Sequence, residues 1–322
     1  MIDIIHNIID LSLWSPDLSW RPAQETITTA IILFFGNLIL LEARLIRKAP
    51  NQSRRKLLQS YRINSVTLLF NDTLMSLLSV SSLLLLAEKY NQHGLLNDSN
   101  FVSKTLTTFI ILDLMLYLWH KANHQFECLW QFHKVHHSDQ SMNVSTAFRI
   151  HFVELVLTTL LKALFIIALG VESTVVACSE ALTAWFAMLH HAKLAIPGEK
   201  WLKWLFIVPS LHRVHHSAKR SEHDSNYGAI LSIWDRVFNT LLEIQPEKIG
   251  LYNVNVENFL ALLKFGFTTD PIPPAQHAVQ TGNIEAMIAE AAYFKAEKRG
   301  FKTGWELQDW FDAEQETLNA FH

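Results

Sequence analysis

The sequence predicts an all-α protein: a polytopic membrane helical bundle with a cytoplasmic histidine-rich metal-site cap and a helical C-terminal tail. Three observations point there. Five apolar stretches, at residues 26–45, 63–87, 105–119, 152–171 and 173–189, approach the length an α-helix needs to cross a bilayer. Basic residues crowd one of the connecting loops and avoid the next. Histidines gather in three clusters at spacings that share a helical face. Composition agrees, with half of the 322 residues hydrophobic. A net charge of -3 offers no basic field for nucleic acid. Two cysteines, Cys128 and Cys178, can build neither a disulfide framework nor a cysteine-based zinc site.

Taken in order, the first twenty residues are acidic and lack the basic start of a cleavable signal. Trp14 and Trp20 read as an interfacial segment before the first span. The loop after that span carries Arg44, Arg47, Lys48, Arg54, Arg55, Lys56 and Arg62, which marks it cytoplasmic. Residues 88–100 carry only Lys89 as a basic residue and are expected outside. Counting crossings puts the N-terminus outside and the end of the third span inside. The last two stretches form a tight hairpin that starts and ends inside, so every histidine cluster emerges on the cytoplasmic face.

Lys162 and Glu180 are the charges midway along the two arms of that hairpin, and each lies nine positions from Val171 at its turn. They are expected at one depth and facing each other, because an isolated charge in hydrocarbon costs about 2.5–3.5 kcal/mol. Beyond the hairpin, WLKWLFIVPS is amphipathic and suits an interfacial helix. The run DPIPPAQ breaks structure before two polar helical stretches near 283–298 and 305–320. The division expected is 1–62 (interfacial segment, first span, basic loop), 63–245 (catalytic membrane domain) and 246–322 (soluble helical tail).

The histidine clusters are His120/His124, His133/His136/His137 and His212/His215/His216, with a doublet His190/His191 ending the hairpin. Lone histidines such as His6, His93 and His322 read as ordinary residues, whereas packed unmetallated imidazoles repel one another once protonated. The clusters therefore predict a polynuclear metal centre, although imidazole suits iron, copper and zinc alike. Its rings need partners that fix their tautomers. Asp113, Asp139, Glu154, Asn226 and Asp235 are the candidates, with an Arg149–Asp235 ion pair as an alternative use of the last.

H-x3-H, H-x2-H-H and a second H-x2-H-H on such a chain resemble the fatty acid hydroxylase / sterol desaturase superfamily. The flanking residues agree: the Asp113–Tyr117–His120 spacing, HKVHHS, MNVSTAFR-x-H, PSLHRVHHS, NYG at Asn226 to Gly228, and WDRVF. The resemblance spans roughly residues 65–245. It implies a non-haem di-iron centre held by His120, His124, His133, His136, His137, His212, His215 and His216, completed by His190 or His191. It further implies dioxygen as co-substrate, a lipid substrate (sterol, fatty acyl or ether lipid), hydroxylation or desaturation, and electrons from a separate donor. Asp113, Asn226 and Asp235 are the expected catalytic residues of that chemistry. Phe152 departs from the family's proline and Asn239 from its glycine, and asparagine tolerates the positive φ such a turn requires. Two other classes compete. A zinc-dependent membrane hydrolase would want an H-E-x-x-H that is lacking, and a metal transporter would place ionisable ligands near mid-bilayer.

Overall fold

Long apolar runs without internal breakers build the long helices. The computed structural model describes residues 21–47, 50–77, 83–268, 281–301 and 304–319. It opens with α1 (Arg21–Ile46), α2 (Asn51–Leu77) and the short α3 (Leu83–Tyr90). Next come α4 (Phe101–Gln125) and α5 (Glu127–His137), separated only by Phe126 in an extended conformation. A 3-10 turn, Val144–Phe148, leads to the hairpin of α6 (Phe152–Leu169) and α7 (Ser173–His191). Four short helices follow: α8 (Glu199–Leu202), α9 (Pro209–His215), α10 (Arg220–His223) and α11 (Ile233–Val237). The chain continues through α12 (Phe259–Phe265), α13 (Thr281–Lys298) and α14 (Glu306–Asn319). Among the described residues the only β pairing is two isolated bridges, so the class is all-α.

α7 is the central element, touching α1, α3, α4, α9 and the 3-10 turn. At its C-terminal end Met188 and Ala192 pack with Leu38, Val144 and Ala147. At its other end Val176 joins Ala87, Ile166, Leu169 and Val171. A third apolar cluster, Ile63, Val135 and Leu262, ties α2 and α12 to α5. α13 and α14 pack on each other as the helical tail, with Lys295 bonded to Glu316 at 2.7 Å.

Among the described residues two helices, α4 and α6, are long and apolar enough to cross a membrane. Of the stretch expected as one span over 63–87, residues 63–77 belong to α2 and 83–87 to α3, and residues 78–82 lie outside the described residues. α2 begins twelve residues before that stretch, at Asn51, because no glycine or proline interrupts 51–77, and its first turns are polar and basic. α7 carries Ser179, Glu180 and Thr183, which lower its hydropathy. The interfacial segment with His6, Trp14 and Trp20 lies outside the described residues, as do Lys48, DPIPPAQ and His322.

The hairpin turns on Gly170, whose left-handed φ of 66° a side chain would strain. The loop after α3 docks there through backbone hydrogen bonds, with Leu96 packed on the apolar cluster beside the turn. Leu95 and Leu96 donate their N–H groups to the carbonyls of Ala168 and Leu169 at 2.9 and 3.0 Å. A Cβ on Gly94 would sit 2.0 Å from the Gly170 nitrogen, so only glycine permits this approach. Within the hairpin the expected ion pair is present, with Lys162 Nζ donating to Glu180 Oε2 at 2.8 Å.

Candidate metal centre

Four pieces of chain deliver the histidines. His120 and His124 stand one turn apart at the end of α4, and the break at Phe126 lets α5 turn back toward them. His133, His136 and His137 line α5. His190 and His191 close α7. α9 starts with Pro209 in its first turn, where a missing N–H costs nothing, and presents His212, His215 and His216.

Nine of the ten candidates converge in two groups. His120, His124, His133, His137 and His215 form one; His136, His191, His212 and His216 form the other. Within each group the ligand atoms lie within 4.8 Å of one another. In the first, His133 Nε2 stands 3.1 Å from His120 Nε2 and 3.3 Å from His137 Nε2. In the second, His191 Nε2 lies 3.0, 3.0 and 3.2 Å from the Nε2 atoms of His136, His212 and His216. A ring nitrogen holds one hydrogen or one lone pair, so it cannot bond three such neighbours. Imidazole nitrogens bound about 2.0–2.1 Å from one ion, by contrast, stand roughly 3.0–3.4 Å apart. Nε2 of His124 and of His215 is buried without any hydrogen-bond partner. The donor set fits one imidazole-bound ion in each group.

The two groups do not follow the H-x-x-H-H boxes. The first and last histidines of each box, four apart, share a group. The middle one crosses over: His136 joins the group of α7 and α9, and His215 joins that of α4 and α5. His190 belongs to neither. Its ring lies against His212 with centroids 3.8 Å apart, so of the doublet only His191 reaches a group.

Outward-facing partners orient five rings. Nδ1 of His120, His191 and His215 lies 2.8, 2.6 and 2.7 Å from the carbonyls of Tyr227, Ala187 and Ser225. A carbonyl only accepts, so these Nδ1 atoms carry hydrogen and leave Nε2 as the free lone pair. His133 Nδ1 meets Glu154 Oε1 at 2.7 Å, and His124 Nδ1 meets Asp224 Oδ1 at 3.1 Å. Burial, reinforced by neighbouring imidazoles, holds His136, His137, His212, His215 and His216 well below the usual histidine range. Neutral rings are the form that binds metal.

Of the five partners expected from the sequence, Glu154 alone is hydrogen-bonded to a ring. Asp113, Asn226 and Asp235 brace the turn behind the rings instead of touching them. Asp113 accepts from the N–H groups of Ile230 and Leu231 and from the Trp234 indole at 3.1, 3.3 and 2.8 Å. Asp235 accepts from the N–H groups of Tyr227 and Gly228 and from the Thr240 hydroxyl. Asn226, at φ 53°, donates to the carbonyls of Leu211 and Leu242. They are positioning residues, since this turn supplies the carbonyls that hold His120 and His215. Arg149 forms no ion pair with Asp235. It donates to the Val135 carbonyl, Ser138 Oγ and Asn64 Oδ1. Asp139 accepts from Ser60, Asn64, Thr146 and the Ser141 N–H. Asn239 takes φ 54°, as its replacement of glycine requires. Where proline is expected, Phe152 starts α6 behind a His151 side chain that accepts from the Val153 N–H. Asp224 was not anticipated, although an acid eight residues past the third box was there to be found.

Residues 105–240 match the family model described as fatty acid hydroxylase. This stretch is similar to the fatty acid hydroxylase superfamily. All nine converging histidines fall inside the fatty acid hydroxylase match, while α1, α2 and the tail lie outside it. Among curated relatives, the ornithine lipid hydroxylase OlsE of Rhizobium tropici is 29% identical over 56% of this chain and 56% of its own. An alkylglycerol monooxygenase of Xenopus tropicalis is 32% identical over 44% of this chain and 30% of its own. Cholesterol 25-hydroxylase of Mus musculus is 23% identical over 44% and 47%. The matched part thus spans about half, or less, of the length of these relatives. Residues 285–318 match a separate family described as a protein of unknown function, DUF2934. No solved structure matches the chain.

Proposed function

We propose that this protein is a membrane-bound non-haem di-iron oxygenase that hydroxylates or desaturates a lipid, using dioxygen and electrons from a separate donor. The observation that carries the proposal is the pair of Nε2 clusters, at separations that suit coordination to an ion and not hydrogen bonding. Relatives named as lipid hydroxylases and monooxygenases supply the reaction class. Iron held there would activate dioxygen toward an unactivated C–H bond.

The chain's own contribution is orientation and exclusion of water. The carbonyls of Ala187, Ser225 and Tyr227 fix three tautomers, Glu154 and Asp224 fix two more, and Asp113, Asn226 and Asp235 hold the turn that carries two of those carbonyls. Glu154, beside His133, also favours a negative-to-neutral contact that strengthens ring donation to a cation. In the same reading α1, α2, α4, α6 and α7 enter the bilayer, residues 63–245 are the catalytic domain, and 246–322 form its tail. The clusters, at the C-terminal ends of α4 and α7, would on this reading face the cytoplasm, the side that the basic residues from Arg44 to Arg62 mark in the sequence.

The test is metal content with turnover. The reconstituted protein should hold about two irons per chain, as two imidazole groups require. His136→Ala or His215→Ala should abolish oxygen-dependent lipid oxidation while membrane insertion persists. Retained turnover in either variant would exclude the mechanism.

A further inference from the structure

Away from the histidines, α2 borders a second feature. A cavity of about 490 Å³ lies between α2, the segment after the second histidine box and residues 254–258. Its wall is largely polar and includes Lys56, Gln59, Ser141 and Asn255. A groove of about 660 Å³ adjoins it along α2, lined by Leu58, Val66, Phe259 and Leu260 with Arg62 beside them. The two share Gln59, Ile63, Glu257 and Asn258, so they form one trough with a polar end and an apolar end. Its walls are fastened together. Gln59 donates to the Glu257 carbonyl and Gln140 to the Val254 carbonyl, each at 2.8 Å.

The trough follows the change in α2 itself, from a basic first half to an apolar second half at Ile63. On the membrane reading proposed above, that change marks the depth of lipid headgroups. The charges available there are specific. Asp139 and Arg149 line the polar end but are held by their own hydrogen-bonding neighbours and share Asn64, which accepts from Arg149 and donates to Asp139. Lys56 and Arg62 are exposed and, among the described residues, take part in no ion pair or hydrogen bond. With the Glu257 carboxylate they leave a net single positive charge facing the trough, which complements the single negative charge of a phosphodiester. We infer that this trough binds one bilayer phospholipid, its phosphate at Lys56 and Arg62 and an acyl chain against Leu58, Val66 and Leu260. Both volumes lie in the range of small-molecule sites, and basic residues beside a span attract anionic headgroups.

The experiment uses the full chain purified in detergent, exchanged into phosphatidylglycerol, washed, and examined by native mass spectrometry. Wild type should retain one phospholipid per chain. Lys56→Glu with Arg62→Glu should lose it at least tenfold, and Val66→Asp should weaken it by spoiling the apolar end. Arg54→Glu with Arg55→Glu, on the same helix but outside the trough, should retain it. Equal loss in that control would show diffuse surface attraction and overturn the proposal, as would no retained lipid in wild type. Displacement by soluble glycerol phosphate at the same concentration would overturn the acyl-chain part. Iron content and lipid oxidation, measured on the same samples, separate failure of the enzymatic reading from failure of this one.

Discussion

Removing the Glu154 carboxylate isolates the contribution of one oriented imidazole. Its Oε1 lies 2.7 Å from His133 Nδ1, and both residues are buried. Partners of this kind, when removed, typically cost 10–100-fold in metal affinity, or about 1.4–2.7 kcal/mol. Distance and burial place Glu154→Ala near the upper end. Asp224 supplies an internal comparison: it lies 3.1 Å from His124, its side chain is 35% exposed, and it is shared with Arg220. Asp224→Ala should therefore sit near tenfold. Glu154→Gln keeps an oxygen that accepts the same N–H and should recover part of the loss. Competition of each purified variant against a chromophoric chelator, with iron(II) added anaerobically, reads the affinities directly. A Glu154→Ala protein within twofold of wild type, or an Asp224→Ala protein that loses more, would refute this reasoning.

Three further outcomes are expected. Lys162→Met and Glu180→Gln should couple by about 1–2 kcal/mol in unfolding, below the full cost of an isolated intramembrane charge because Glu180 is partly exposed; strict additivity would contradict the pair. His191→Ala should lower metal content from about two to about one per chain, by the group counts, whereas His190→Ala should leave it unchanged; equal loss in both would place His190 in the centre. Metal-free protein should lose stability as pH falls from about 6.5, because buried rings held below their unfolded value resist a proton that the unfolded chain accepts; a flat melting temperature between pH 8 and pH 5 would contradict that sign.

The helical class was legible because apolar length and residue spacing are local properties. So was the Lys162–Glu180 pair, since equal distance from a turn fixes equal depth on two antiparallel helices. The early start of α2 at Asn51 was not, because an apolar run such as 63–87 marks hydrophobic length and not where its helix begins. At the site, histidine spacing announced that the rings would converge. It left open which ring would join which neighbour, because that depends on how α5 and α9 face each other. Asp113, Asn226 and Asp235 were visible as polar residues near the boxes, but their partners are backbone N–H and carbonyl groups that carry no residue signature. The same holds for the carbonyls of Ala187, Ser225 and Tyr227. Chemistry done by the main chain leaves little trace in a sequence.

The exchange of His136 and His215 has a consequence for assembly. Without those two, the first group would consist of His120, His124, His133 and His137, all from one continuous stretch of eighteen residues. The second would consist of His191, His212 and His216, again from neighbouring chain. Each half-site is thus nearly complete locally, where loop closure is inexpensive. Each then lends its middle histidine to the other, so the two coordination spheres are interlocked. Displacing α9 from α5 strips a nitrogen from both at once. An ion seated in either group would draw the two stretches into the register the other group needs, and the pair of sites would then act as a single fastening between the two histidine-bearing stretches of chain.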